Sequence, residues 1–264
     1  MMRYIRYGIL SLITALIFIG CNAKAPITGR SQMIMISPQQ ELALGMESAK
    51  EVLKKSKLSK NRNYINRVNR VGKKIAAASG QTNYKWKFYV IDDPKTANAF
   101  VLPGGQVFFY TGILKYMSND DEIAAVMAHE VGHALARHAA ERISTQQLAS
   151  LGGQMLQIGL GVNGVSAGNT NAVMQAFGIA SQLGVILPYS RTQEYEADHI
   201  GLVLAARAGY NPNGALTFWN KFMKSNSKRS PEYFSTHPDP TNRIARLKAL
   251  MPEVMPIYEK NRRR

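Results

Sequence analysis

The sequence is poor in cysteine and in acidic residues, and both shortages restrict what the protein can be. Cys21 is the single cysteine among 264 residues, which excludes an intramolecular disulfide. Acids number 17 against 33 lysines and arginines, so the formal charge is +16. The basic residues cluster in residues 50–74 and 260–264, without an aromatic-rich platform or a recognition-helix motif. We therefore expect no nucleic acid partner, and a solvated basic face that contacts anionic lipid or lipopolysaccharide.

Charged residues are also missing from a long internal stretch, residues 143–190, which is rich in glycine. Gln, Asn and Ser interrupt its apolar residues too often for a membrane-spanning helix. Two interpretations fit this composition. The stretch is either a pair of helices packed on the core around a glycine-rich turn, or a mobile or membrane-facing flap over an active site. The first is the simpler interpretation.

The first twenty residues have the pattern of an export signal. A positively charged start precedes residues 8–20, which are apolar but form a run too short for a comfortable membrane span. Cys21 follows a glycine at the end of this run, as in a bacterial lipobox, where the cysteine is acylated. A buried cysteine in an uncleaved anchor is the alternative. Because Asn22 rather than aspartate follows, we expect a lipid-anchored protein that faces the periplasm, on the outer rather than the inner membrane.

Hydrophobic spacing and capping residues predict an α+β fold that is mainly helical. Helices are predicted over residues 37–53, 61–78, 118–142, 191–208, 212–223 and 242–250. Aromatic and β-branched runs predict a small antiparallel sheet with strands 86–91, 98–102 and 106–111. The predicted organisation is a signal peptide (1–20), a lipidated N-terminus and tether (21–36), one catalytic domain (37–252) and a basic C-terminal tail (253–264).

The run His129-Glu130-Val131-Gly132-His133 lies within the predicted helix 118–142. Histidines four residues apart share one helix face, so both imidazoles can bind one metal ion. Glu130 lies about 100° further round the helix, where it can take a proton from a water molecule that zinc makes acidic. The run therefore predicts a peptidase centre with one zinc ion and Glu130 as general base. Gly132 and Ala134 are expected to leave space beside the metal.

A third zinc ligand has to come from elsewhere in the chain. Ala136 and Ala139 stand where the metzincin class has glycine and histidine, which excludes that class. His138 is out of register with His129 and His133. We expect it to face elsewhere, as an ordinary polar or capping histidine.

Three acids cluster at the start of the predicted helix 191–208: Glu194, Glu196 and Asp198. Glu194 and Asp198 share a helix face, so Glu194 can bind zinc while Asp198 accepts a hydrogen bond from a ligating imidazole. Glu196 is the competing ligand, although it points to the other side of the helix. A solvated acidic face is the alternative. In a chain with so few acids, the cluster favours a metal site.

Four motifs together resemble a known family. H-E-V-G-H and E-Y-E-A-D, with N-A-F-V-L-P-G-G (98–105) before them and S-T-H-P (235–238) after them, are similar to the zinc metallopeptidases related to HtpX and the CAAX prenyl proteases. The similarity is greatest to the exported bacterial branch, periplasmic and outer-membrane lipoprotein peptidases, and it covers residues 26–251. It implies a gluzincin-like zinc peptidase domain with the small sheet beside the active-site helix.

The resemblance also implies roles for individual residues. It makes His129, His133 and Glu194 the zinc ligands, Glu130 the general base and Asp198 the partner of a ligating imidazole.

Two further matches extend the implied site. His237 and Arg243 match a family loop near the metal, where the histidine either stabilises the oxyanion or blocks the zinc in a resting state. Asn98, Ala99, Phe100 and Val101 match the edge strand along which such peptidases align an extended substrate by main-chain pairing. Plain sheet core is the alternative for that strand.

The implied function is a metalloendopeptidase that acts on misfolded or stalled envelope proteins. Its expected partners are polypeptide substrates, the membrane through the N-terminal lipid, and the envelope assembly machinery. The alternative is a lipid-anchored chaperone or assembly factor whose zinc site is latent because His237 blocks the metal.

Overall fold

The structure is a computed structural model that describes residues 22–159, 189–225, 232–237 and 242–262. The predicted signal peptide, Cys21 and most of the charge-free stretch lie outside these residues. The helices are α1 (Pro38–Lys55), α2 (Arg62–Ser79), α3 (Thr111–Leu114), α4 (Asp120–Leu135), α5 (His138–Gly159), α6 (Arg191–Arg207), α7 (Asn213–Ser225), α8 (Glu232–Thr236) and α9 (Arg243–Asn261). The strands are β1 (Asn22–Lys24), β2 (Ser31–Met33), β3 (Lys87–Ile91), β4 (Ala99–Leu102) and β5 (Gln106–Tyr110). Among the described helices, none is long and apolar enough to span a membrane.

The helices begin at residues whose side chains cap the free backbone N–H groups. Ser37 and Gln40 form a capping box at the start of α1, and Asn61 accepts two backbone N–H groups at the start of α2. Both starts confirm the sequence prediction. At α4 the cap is Asn119, which accepts from the N–H of Glu122, so this helix begins at Asp120, two residues after the predicted start at 118.

The predicted helix 118–142 is in fact two helices. Arg137 has a φ of 51°, in the left-handed region, and it separates α4 from α5. Contacts from distant residues hold this bend: Arg137 donates to Glu41 at 2.6 Å, and Gln32 donates to the carbonyl of Ala136 at 2.6 Å. No glycine or proline marks the break, and helical spacing alone therefore does not predict it.

The central sheet is mixed, with strand order β3-β5-β4. β4 and β5 form the predicted antiparallel hairpin through Gly104 and Gly105, whose φ values of 84° and 92° suit glycine. The prediction of a wholly antiparallel sheet is wrong for β3, which pairs with β5 in parallel. The reason is that β5, the second strand of the hairpin, docks beside β3, so the chain passes through β4 at the far edge before it returns as β5.

Both faces of this sheet are buried. One face packs on α2 and α4 through residues such as Val107 and Phe109, and the other packs on α1 through Phe100 and Phe108. α4 is buried along most of its length, because α6 covers the side that faces away from the sheet. The motif His129–His133 therefore lies on a helix that is packed on two sides.

The segments on either side of the predicted domain (37–252) contain more secondary structure than the sequence predicts. Residues 22–33, predicted as part of a tether, form a β1–β2 hairpin, and Arg30 at its end binds Glu141 of α5. At the other end, α9 continues to Asn261, with Val254 fully buried. The predicted tail is thus helical over 253–261.

Candidate metal centre

Two glycines let α4 and α6 approach closely enough to form the site. A Cβ on Gly201 would lie 2.9 Å from the backbone nitrogen of His129, and one on Gly132 would lie 2.9 Å from the carbonyl oxygen of Ala197. Real side chains do not tolerate such contacts. The space at Gly132 is therefore taken by α6, and the expectation that it lies beside the metal is wrong. The close contact places the start of α6, with Glu194, against the two α4 histidines.

This contact predicts the effect of Gly201→Ala. The added methyl group has to push α6 away from His129, so we expect the free energy of unfolding to fall by about 1–3 kcal/mol and zinc affinity to fall with it. Urea unfolding and chelator competition measure the two effects. Gly72→Ala is the control, because its Cβ would meet the Phe88 ring far from the site and should lower stability alone. Unchanged zinc affinity in Gly201→Ala would show that the contact between α4 and α6 does not determine the positions of the zinc ligands.

Four buried side chains bring metal-binding atoms together at this contact. His129, His133, Glu194 and His237 each offer one donor atom, and these atoms all lie within 4.8 Å of one another. His133 Nε2 is 3.0 Å from His129 Nε2 and 3.3 Å from Glu194 Oε1. His237 Nδ1 is 3.3 Å from His129 Nε2 and 3.1 Å from Glu194 Oε1. The structure thus places the three predicted ligands together and adds His237 to them.

The donor set fits zinc. A tetrahedral zinc ion bound at about 2.0–2.2 Å keeps neighbouring ligand atoms roughly 3.3–3.6 Å apart, close to the distances here, and imidazole and carboxylate are common zinc ligands. The pKa values of the two α4 histidines shift in opposite directions, and burial holds the pKa of His133 well below its ordinary value. Burial would lower the pKa of His129, but Asp198 and Glu194 raise it to about 9. Burial would raise the pKa of Glu194, but His237 and the two α4 imidazoles hold it well below its ordinary value, so this ligand is ionised.

Asp198 and Arg243 contact the predicted ligands on the side away from the donor atoms. Asp198 Oδ1 lies 2.9 Å from His129 Nδ1, as predicted for a residue that orients a ligating imidazole. Arg243, which is 2% exposed, donates to Asp198 at 2.5 Å, and its guanidinium lies 4.0 Å from the ring centre of Trp219. It also lies 3.5 Å from Glu194. Arg243 also lies 3.0 Å from His129 Nδ1, so it contacts Asp198 and two of the predicted ligands. Its predicted catalytic role stays a prediction.

Glu130 is buried beside the donor cluster without belonging to it. Its Oε1 accepts a hydrogen bond from the hydroxyl of Tyr233 at 3.3 Å and lies 3.5 Å from His237 Nε2. That Nε2 atom has no hydrogen-bond partner among the described residues. Burial raises the pKa of Glu130 above its ordinary value, towards the range in which a carboxylate serves as a base at neutral pH.

Two tyrosines of the site were missed by the sequence reasoning. Tyr233 stacks on His237 with ring centres 4.3 Å apart, and Tyr189 stacks on His133 at 3.7 Å. Neither residue lies in a metal-binding pattern. Their only sequence signal is proximity, since Tyr233 comes shortly before S-T-H-P and Tyr189 shortly before E-Y-E-A-D.

His138 contacts one of the predicted zinc ligands. The prediction that it faces away from the site is wrong, because its Nδ1 lies 2.8 Å from His133 Nδ1. The bend at Arg137 changes the helical register and turns His138 back towards the ligand. Glu196, the competing ligand, points away from the donor cluster as expected, and its Oε2 lies 2.9 Å from His138 Nε2. Burial would raise the pKa of Glu196, but His138, Arg30 and Thr28 lower it to about 2.

The predicted substrate strand starts next to His237. Asn98 accepts a hydrogen bond from Thr236 at 3.5 Å, and β4 is an edge of the sheet, with β5 on its inner side. Asn98 and the strand residues that follow are buried. Alignment of a substrate along residues 98–101 stays a prediction.

Comparison with known proteins gives a consistent result. The model of Peptidase family M48 matches residues 63–251. The mitochondrial metalloendopeptidase OMA1 of Saccharomyces cerevisiae is 32% identical over 273 residues, which cover 94% of this chain and 76% of the relative. The human metalloendopeptidase OMA1 is 32% identical over 250 residues, covering 89% of this chain and 47% of the relative. The β-barrel assembly-enhancing protease of Escherichia coli is 26% identical over 258 residues, covering 93% of this chain and 52% of the relative. The chain thus spans about half the length of the human and E. coli relatives.

Proposed function

This chain belongs to peptidase family M48, whose members are zinc metallopeptidases, and we propose that it hydrolyses peptide bonds in misfolded or stalled proteins of the cell envelope. One observation carries the proposal. Two imidazoles of α4 and the Glu194 carboxylate converge in a buried cluster, with the Glu130 carboxylate beside them and outside the donor set.

The residues of this cluster divide the chemistry between them. His129, His133 and Glu194 would hold zinc, which would make a water molecule more acidic and polarise the substrate carbonyl. Glu130 accepts the proton of the attacking water and passes it to the leaving amine. The Tyr233 hydroxyl donates to Glu130 and holds the carboxylate in place.

The substrate class is supported by the names of two relatives. The yeast relative is a mitochondrial metalloendopeptidase, and the E. coli relative is a protease that enhances β-barrel assembly. The first name supports the activity of a metalloendopeptidase, and the second supports proteins under assembly as the substrates. Association with the envelope assembly machinery is part of the proposal.

The proposed location is the periplasmic side of the outer membrane, with the chain anchored through lipid on Cys21. The export-signal pattern and the single cysteine support this location. Cys21→Ser is expected to abolish labelling with a radioactive fatty acid and to release the protein from membranes, because attached acyl chains are what hold it there. Asn22→Asp is the paired variant, which should keep the label and move the protein to the inner membrane. A wild type that carries no label would contradict the anchor.

The cellular experiment compares envelope protein fragments in cells that express the wild type or Glu130→Gln. Fragments that are absent only in the variant identify substrates directly. Identical fragment patterns, with both proteins expressed at the same level, would count against proteolysis as the function.

One observation favours the alternative function, a chaperone or assembly factor with a latent zinc site. His237 Nδ1 lies within the donor cluster, where it can fill a coordination position that a substrate or water would need. If the site is latent, a Glu130→Gln strain grows like the wild type while deletion of the protein impairs the envelope. If proteolysis is the function, the two strains share the same defect.

A further inference from the structure

The two histidines of α4 are both held at the ring nitrogen that faces away from the donor cluster. For His129, the partner of this nitrogen is the carboxylate of Asp198. For His133 it is a second imidazole, that of His138. We propose that His138 is a positioning residue for His133, and that Glu196 fixes His138 with the help of the N-terminal hairpin. This inference deepens the proposed function and rests on it, since it concerns the same metal site.

The hydrogen-bonding roles along this chain are mutually consistent. If His133 binds metal through Nε2, its Nδ1 carries the proton and donates it to His138 Nδ1, 2.8 Å away. His138 then carries its own proton on Nε2 and donates it to Glu196 Oε2 at 2.9 Å. A neutral His138 thus satisfies both contacts at once. The result for His133 is the tautomer whose Nε2 lone pair points into the donor cluster.

Glu196 is fixed in turn by residues from the start of the described chain. Arg30 donates to Glu196 through Nε at 2.8 Å, and the hydroxyl of Thr28 donates to the other carboxylate oxygen. Arg30 also forms a salt bridge with Glu141 at 2.6 Å, which ties the hairpin to α5. The contacts therefore run without interruption from the N-terminal hairpin through Glu196 and His138 to His133.

The contacts of His138 and Glu196 are buried. His138 is 0% exposed and the Glu196 residue is 5% exposed, so water does not compete for their hydrogen bonds. The chain of contacts also gives every acid of E-Y-E-A-D a place at the site. Glu194 joins the donor cluster, Asp198 holds His129, and Glu196 holds His133 through His138.

The test is zinc affinity, measured on the full-length chain by competition with a chromogenic chelator. His138→Leu is expected to weaken zinc binding by about 10- to 100-fold, the usual effect of losing the partner of a ligating histidine. Glu196→Gln should weaken it by a smaller factor, because the glutamine oxygen can still accept the His138 proton but carries no charge. His138→Asn should restore part of the affinity, because its amide oxygen can accept the His133 proton. The double variant His138→Leu/Glu196→Gln should be no weaker than His138→Leu, since Glu196 acts through His138.

The chain offers a matched control in a second histidine–glutamate pair. His199 Nε2 lies 2.8 Å from Glu253 Oε1 on the surface, away from the donor cluster. His199→Leu and Glu253→Gln should therefore leave zinc affinity unchanged.

A purely structural role for His138 would give a different result. In that case His138→Leu and Glu196→Gln would lower the unfolding free energy of the zinc-free protein and leave zinc affinity at the wild-type value, which overturns the inference. Should His138→Leu fail to fold, Glu196→Gln decides, because it keeps the side-chain volume. A wild type that binds no zinc would overturn the proposed function itself, and the inference with it.

Discussion

Glu130→Gln is expected to lower the rate of peptide hydrolysis by about 100- to 10,000-fold, the usual contribution of a general base, while zinc content stays at the wild-type level. Glutamine has the size of glutamate but cannot accept the proton. Zinc is retained because Glu130 lies outside the donor cluster. The measurement is cleavage of an unfolded protein substrate by the two purified proteins, with metal content determined on the same samples.

Glu122→Gln is the matched control. Glu122 is a second buried glutamate on α4, and it binds Lys221 and the N–H of Ser118 at the start of the helix rather than the donor cluster. We expect this variant to cleave at the wild-type rate per folded molecule. Cleavage by Glu130→Gln at the wild-type rate would rule out Glu130 as the base.

Arg243→Met is expected to lower the free energy of unfolding by about 3–5 kcal/mol, the usual cost of removing one partner from a buried ion pair. The variant leaves Asp198 and Glu194 without their buried cation, and Trp219 loses the guanidinium stacked on it. The free energy of unfolding of a typical domain is about 5–15 kcal/mol, so a loss of this size leaves a measurable fraction of the molecules unfolded if the wild type lies at the low end. Urea unfolding of the zinc-free and zinc-loaded protein measures it.

The surface pair of Arg262 and Glu259 provides the comparison. Both side chains are about half exposed, and Arg262→Met should change stability by no more than about 1 kcal/mol.

Combining Arg243→Met with Asp198→Asn should cost less than the sum of the two single changes, because the second change removes a carboxylate that the first left unpaired. Full additivity would show that Arg243 and Asp198 do not act as a pair.

Local signals predicted much of the fold. The capping box at Ser37, the cap at Asn61 and the acids at the start of α4 are short-range features, and these three helices begin within two residues of the predicted positions. The spacing of His129 and His133 likewise fixes which face of α4 carries the donor atoms. Glu194 could be proposed because it is one of very few acids in the chain.

Other features depend on contacts between distant residues, and the sequence does not reveal them. The bend at Arg137 is held by Gln32 and Glu41, and only this bend brings His138 back to His133. The parallel pairing of β3 depends on where the β4–β5 hairpin docks. In residues 22–33, Pro26 and Gly29 favour a turn, but the partners that fix the hairpin, Glu141 on α5 and Glu196 on α6, are distant in the sequence.

X-ray absorption at the zinc edge of the purified full-length protein tests the central claim most directly, because it reports the atoms bound to the metal. We predict zinc with nitrogen and oxygen ligands at about 2.0–2.2 Å, the multiple scattering that imidazoles produce, and no sulfur ligand. His129→Ala and Glu194→Ala should remove the metal. A protein without zinc, or zinc bound to sulfur or to water alone, would contradict a metal centre built from α4 and α6.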